Sequence, residues 1–316
     1  MDKIDLLAVA SPSPLLAPQL QAAFNVHERL HESDPTAFDK VAPGIRAIIG
    51  GGESRVSAEL ISRLPKLEII SIMGVGYDGV DVAAAKARGV PVTHTPDVLN
   101  DDVADLAIAL MLGISRQLVQ GDHHVRSGAW RDGPLALGRK MSGARLGLVG
   151  IGRIGQGIAR RAAAFDMKVG YTARHPRPAL PYAYFPDPAA LAAASDYLVV
   201  ITPGGNATRH LIGREVLQAL GPKGILVNVA RGSVVDEAAL IDALESQAIA
   251  GAALDVFETE PAVPERLRRL PNVLLSPHIG SATQATRQAM ADLVVANLRA
   301  HFGGQSLPSP VPECRK

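Results

Sequence analysis

Short apolar runs bounded by turn residues alternate along this chain with amphipathic stretches of helical period, beginning at Ile4. The first hundred residues predict strands at Ile4–Ala10, Ile45–Gly50, Leu67–Met73 and Pro91–Thr95, with helices over Leu15–Phe24, Ala58–Leu64 and Val82–Arg88. A longer apolar helix, Val103–Ile114, opens behind Asn100, Asp101 and Asp102, side chains suited to capping it. Beyond it the pattern predicts strands at Leu146–Val149, Lys168–Tyr171, Tyr197–Ile201, Ile225–Asn228, Gly251–Asp255 and Val273–Ser276. Such alternation builds parallel sheets covered by helices, so the fold class is α/β, with two doubly wound parallel sheets. The last helix, Gln284–His301, carries Ala289, Leu293, Val294, Ala296 and Leu298 and is expected to pack back on the first unit. Residues 1–98 with 285–316 therefore predict a smaller domain, and residues 99–284 a larger one. The turn-rich stretch Gly128–Gly143 predicts a protruding loop in which Trp130 is either a core anchor or an interface residue.

Composition narrows the field. A chain of 316 residues that is 47% hydrophobic and 20% charged can bury one or two sizeable cores, and its length suggests about two domains. A net charge of +1 without a lysine or arginine run predicts no nucleic-acid partner. The single cysteine, Cys314, leaves no internal disulfide and suggests neither a zinc site nor a redox pair. No cluster has metal-ligand spacing, and the adjacent His123 and His124 are expected at the surface. The first residues, M-D-K-I-D, hold acids where a signal peptide wants bases, and Val103–Ile114 is too short to span a bilayer. A cytoplasmic protein without membrane contact is the expectation.

The candidate chemistry starts at R-L-G-L-V-G-I-G-R-I-G-Q-G-I-A, where a strand runs into a glycine turn and then a helix. Gly150 permits the tight turn, Gly152 leaves room for phosphate against bare backbone, and Gly155 lets helix and strand approach. The new helix points unpaired N–H groups at the anion, so a dinucleotide pyrophosphate is expected here. At the end of the next strand, where an NAD enzyme places an acid on the ribose diol, the chain reads Thr172. Arg174, with His175 and Arg177 after it, instead offers cations to a 2′-phosphate, which favours NADP over NAD.

Further motifs follow in order: M-G-V-G-Y-D-G-V-D from Met73, T-P-D-V-L-N-D-D-V-A-D from Thr95, N-V-A-R-G from Asn228, L-D-V-F-E-T-E-P from Leu254 and P-H-I-G-S from Pro277. With the glycine turn they make the chain resemble, nearly end to end, the D-isomer-specific 2-hydroxyacid dehydrogenases. The resemblance is strongest to the NADP-linked glyoxylate, hydroxypyruvate and hydroxyphenylpyruvate reductases. It implies a Rossmann cofactor domain beside a smaller flavodoxin-like substrate domain, and it implies that Arg231, Glu260 and His278 carry the chemistry. Physical need agrees: reducing a 2-oxo acid requires a hydride donor, a proton donor and a cation on the substrate oxygens. His278 suits the proton, because imidazole titrates near neutrality. Glu260 beside it would orient the ring and favour the imidazolium. Arg231 can fork onto carboxylate and carbonyl together. Glu258 competes as the partner of the histidine, but Glu260 matches the family's acid before proline.

The resemblance also implies that the backbone of Gly74, Val75 and Gly76 receives the substrate carboxylate, with Arg231 and His278 on the same molecule. It places Arg153 and Ile154 over the pyrophosphate, and Thr202, Pro203, Thr208, Val229, Ala230, Arg231, Asp255, His278 and Gly280 along the cofactor. Asp255 either reaches the carboxamide or simply caps the next turn. Small 2-oxo acids are the first expectation for substrate and phenylpyruvate derivatives the second. Formate dehydrogenases pair the histidine with an amide, which Glu260 argues against. Some relatives act instead as dinucleotide-sensing interaction proteins with binding tails, and only a short tail follows the last helix here. The family suggests a homodimer, with the helix after Asn100 and the Gly128–Gly143 loop as its surface.

Overall fold

The computed structural model describes residues 3–315. The chain divides into two compact units, Met1–Leu99 with Thr283–Lys316, and Asn100–Ala282. Among the described residues each unit holds one sheet, and its strands pair in parallel throughout.

The first unit contains β1 (Ile4–Ala8), β2 (Phe24–Glu28), β3 (Ala47–Gly51), β4 (Ile69–Met73) and β5 (Val92–Thr93), in the spatial order β2-β1-β3-β4-β5. This is the flavodoxin-like order, whose switch point lies between β1 and β3. Every residue of β4 is buried, as expected of an inner parallel strand covered on both faces. β2 was not expected. The predicted helix Leu15–Phe24 shortens to Ala17–Ala23, and Phe24 opens an edge strand, F-N-V-H-E, in which Phe24 alone is fully buried. The other predicted strands stand, but shortened: Ile4–Ala10, Ile45–Gly50, Leu67–Met73 and Pro91–Thr95 become β1, β3, β4 and β5.

The helix Gln284–Phe302, capped by the Thr283 hydroxyl on Thr286 N–H, packs on β4. Its carboxyl end meets the beginnings of the strands: the Phe302 ring lies 6.0 Å from that of Phe24 and 5.0 Å from the Arg46 guanidinium. The tail then runs along the sheet edge, where Val311 N–H donates to Val92 O at 2.9 Å and Pro310 bridges Thr93.

The second unit contains β6 (Arg145–Val149), β7 (Lys168–Thr172), β8 (Ala183–Phe185), β9 (Tyr197–Val200), β10 (Ile225–Asn228), β11 (Gly251–Leu254) and β12 (Val273–Leu275). Their order is β12-β11-β10-β9-β6-β7-β8, seven strands where six were expected. The extra one, β8, is a largely exposed edge of three residues, too short for its pattern to announce it. Order reverses between β6 and β9, which puts the ligand crevice at their carboxyl ends. The helix Asn100–Ser115 packs on the helix Arg153–Ala163, and a Cβ on Gly157 would lie 3.2 Å from that of Ala104.

A further helix, Leu118–Arg126, precedes the loop expected over Gly128–Gly143. Trp130 is 66% exposed, so it anchors no core within the unit, and Leu137 is 97% exposed. His123 is exposed as expected, whereas His124 is half-buried and its Nε2 meets Gly133 O at 2.9 Å, fastening the loop. Among the described residues no helix is long and apolar enough to cross a membrane.

Candidate active site and its family

β6 ends at Val149, and the chain turns at Gly150 with φ +106°, a conformation that favours glycine. Each glycine of the turn has a distinct spatial reason. A Cβ on Gly150 would lie 2.8 Å from Ile201 O, across the crevice from β9. One on Gly155 would lie 2.5 Å from Gly150 O, so helix and turn touch backbone to backbone. Gly152 has nothing within 4 Å: the space over it is open. It begins the helix Arg153–Ala163 without a side-chain cap, which leaves first-turn N–H groups facing that space. These features fit a dinucleotide pyrophosphate.

The specificity loop leaves β7 at Thr172, which is buried and gives its carbonyl to Gly150 N–H at 3.0 Å. Thr172 ends the strand at the position where an NAD enzyme places its ribose-binding acid. The Tyr171 ring is buried, and its hydroxyl accepts the Arg177 backbone N–H at 2.7 Å, bending the loop back on the sheet. Arg174, His175 and Arg177 are left exposed on it. That is an exposed cationic rim of the kind a 2′-phosphate needs.

The proposed catalytic groups lie just past the carboxyl ends of β10, β11 and β12. His278 Nδ1 lies 2.7 Å from Glu260 Oε2, and Glu260 Oε1 accepts Phe257 N–H at 2.8 Å. Burial alone would raise the Glu260 carboxyl, but the His278 and Phe257 hydrogen bonds and the nearby charges of His278 and Arg231 hold it below the usual range. Glu258 is occupied elsewhere: its Oε1 takes Arg209 at 2.8 Å and His210 at 3.0 Å. Glu260, not Glu258, is therefore the carboxylate on the imidazole. His278 itself has φ +50°, with its N–H on Asp255 O at 2.9 Å.

Asp255 is engaged locally. Its Oδ1 accepts from Ser276 Oγ at 2.7 Å and Ile279 N–H at 2.8 Å, and its Oδ2 from Gly280 N–H at 2.9 Å. It ties down the loop that carries His278. Burial raises its carboxyl, and those hydrogen bonds only partly offset the rise. Val229 and Ala230 are buried behind Arg231, and Thr208 donates its hydroxyl to Pro203 O at 2.7 Å, shaping the loop after β9.

Two shaping residues went unremarked within N-V-A-R-G. Asn228 is buried; its amide donates to Arg231 O at 3.0 Å and its carbonyl accepts Ala230 N–H at 3.1 Å. A Cβ on Gly232 would lie 1.9 Å from Phe257 O, so only glycine lets the Arg231 turn lie against the segment bearing Glu260. The motif contained both, but nothing in the sequence shows what each touches.

On the first unit, Gly74–Gly76 leave the carboxyl end of β4. A Cβ on Gly74 would lie 3.0 Å from Gly52 Cα, so a second glycine loop, Gly50–Gly52, lies alongside. Among the described residues no three His, Cys, Asp or Glu side chains gather to hold a metal.

Comparison with known proteins agrees with this geometry. Residues 108–280 match the family model of the D-isomer specific 2-hydroxyacid dehydrogenase, NAD binding domain. The chain is 47% identical over 314 residues to a hydroxyphenylpyruvate reductase of Plectranthus scutellarioides, covering 98% of this chain and 100% of that one. It is equally, 47%, identical over 312 residues to glyoxylate/hydroxypyruvate reductase A of Arabidopsis thaliana, with the same coverage. The crystal structure of the NADPH-dependent glyoxylate/hydroxypyruvate reductase of Sinorhizobium meliloti, in complex with NADP and malonate, superposes with a TM-score of 0.94 at 43% identity, covering 100% of this chain and 99% of that one. Likeness of this extent, in sequence and in fold, leaves one assignment: the chain belongs to the D-isomer-specific 2-hydroxyacid dehydrogenase family.

Proposed function

We propose that the chain uses NADPH, and NADH less well, to reduce small 2-oxo acids, glyoxylate and hydroxypyruvate foremost, to the D-2-hydroxy acids. The observation that carries this is the His278–Glu260 pair at the carboxyl edge of the sheet whose glycine turn and basic loop fit NADPH. When bound, NADPH supplies the hydride for the substrate's C2. With Nδ1 engaged by Glu260, His278 has Nε2 to deliver a proton to the carbonyl oxygen. Glu260 holds the ring and offsets its charge while that proton is present. Arg231 neutralises the substrate oxygens, and the Val75 and Gly76 N–H groups receive its carboxylate.

A panel of 2-oxo acids assayed with both cofactors tests the reading, and His278→Ala should cut kcat by orders of magnitude with little change in the dissociation constant of NADPH. Equal loss of cofactor binding would recast His278 as structural. The Plectranthus relative gives the panel its second arm, hydroxyphenylpyruvate, and higher kcat/KM on that substrate would reassign the pocket. A dinucleotide-sensing protein would bind NADPH and oxidise none.

A homodimer belongs to the same proposal. Leu118, Val119, Val125, Trp130 and Leu137 are all more than half exposed along one stretch of the second unit, an apolar surface that a second copy would cover. A cytoplasmic location is proposed with it and is checked by cell fractionation.

A further inference from the structure

In an extended chain successive carbonyls point opposite ways, yet those of Gly74 and Val75 both face the segment His94–Thr95. Gly74 O accepts Thr95 N–H at 2.8 Å, and Val75 O lies 3.0 Å from His94 Nδ1. A trans peptide sets its N–H opposite its C=O, so both carbonyls facing inward turn the Val75 and Gly76 N–H groups outward together. Among the described residues no acceptor takes either of them. Two adjacent N–H groups held side by side make an anion receptor, and their aim depends on what holds the carbonyls behind them.

One of those holders is a buried side chain, 7% exposed, that is itself clamped by the chain's last segment. Ser309 Oγ donates to His94 O at 2.6 Å, while Asn297 fixes Ser309 through its amide at 2.8 Å and its carbonyl at 3.1 Å. The Tyr77 ring stands edge-on to the imidazole at 5.3 Å, and its hydroxyl donates to Glu313 at 3.0 Å. Burial and Glu313 push that phenol up to about 12, so it remains a donor across the working pH range.

We infer that His94 is a positioning residue for the reaction: its Nδ1–H on the Val75 carbonyl aims the Gly76 N–H at the substrate carboxylate, and the C-terminal tail keeps His94 in place. The inference rests on reading Gly74–Gly76 as the carboxylate receptor. His94→Leu removes the donor and should raise the KM for glyoxylate and the inhibition constant of oxalate about tenfold, the usual worth of one such hydrogen bond, with NADPH affinity unmoved. His94→Asn places an amide N–H where Nδ1 stands and should restore most of the loss. Ser309→Ala should shift the same two constants in the same direction by less. If the leucine variant does not fold, His94→Asn against His94→Asp decides at a pH where the carboxyl is ionised, since they are equal in size and only the amide then donates.

The receptor reading is tested separately, by the amide shifts of 15N-labelled Val75 and Gly76 in the wild-type protein with NADP+ as oxalate is added. If those amides shift while the leucine variant, or the aspartate one, matches wild type in both constants, His94 has no positioning role and the receptor stands. If the amides do not shift, the receptor reading falls and the role of His94 falls with it.

Discussion

Asp255 is buried and Glu260 half-buried, both are bonded to the segments around His278, and their partners separate their tasks. Asp255 collects a hydroxyl and two backbone N–H groups, so Asp255→Ala would take the acceptor from three donors, of which the Gly280 N–H is buried. Each costs about 1–3 kcal/mol unmet, less what water recovers, and a clear fall in Tm together with lost turnover is the expected result. Glu260 acts through charge. Its lowered pKa means that its contribution is present at neutral pH and disappears as acid protonates it. If His278 is the proton donor proposed above, reduction needs it protonated and activity should be lost at alkaline pH. Glu260→Gln removes the anion that favours the imidazolium, and the alkaline limb of the kcat profile should move to lower pH; an unmoved limb would assign that role elsewhere. Arg174→Asp places a carboxylate on the exposed rim and should reverse the NADPH over NADH preference in kcat/KM. The sequence offered Glu258 and Glu260 as rivals, and only the match to the family's acid before proline favoured the second. Arg209 and His210, which occupy Glu258, lie some fifty positions upstream, a contact that no local pattern contains.

At the scale of elements, the helix Arg153–Ala163 and the strand before it were legible because turn glycines and apolar periodicity occur together there. Their close approach yields a test. Gly155→Ala puts a methyl 2.5 Å from Gly150 O, a backbone atom that cannot yield without opening the turn. It should cost about 1–3 kcal/mol of stability and weaken NADPH at least tenfold, followed by calorimetry and fluorescence titration. The strands β2 and β8 escaped notice for a common reason. Each is an edge with one paired side, little apolar surface to bury and no periodicity strong enough to mark it. The helix Leu118–Arg126 has no buried residue, so its apolar positions face outward and carry no core pattern.

For the whole molecule, that outward face carries the last prediction. Light scattering should give twice the chain mass of 33.1 kDa, and charging the patch by Trp130→Glu with Leu137→Lys should shift the mass to the monomer. A monomeric wild type would remove the dimer. What the sequence by itself determined is whatever repeats locally: parallel α/β layering, the phosphate turn, the absence of a ribose acid at Thr172, and the residue types for the chemistry. These depend on spacing within one strand, turn or helix. Tertiary structure decided the rest: which carboxylate meets His278, that Asp255 braces a loop, that Gly232 admits Phe257, and that the tail clamps His94 beneath the Val75 carbonyl. Those contacts join segments from 18 to more than 200 positions apart, as His278 to Glu260 differs from Ser309 to His94. Their partners are chosen by how whole sheets and loops pack, which no window along the chain encodes.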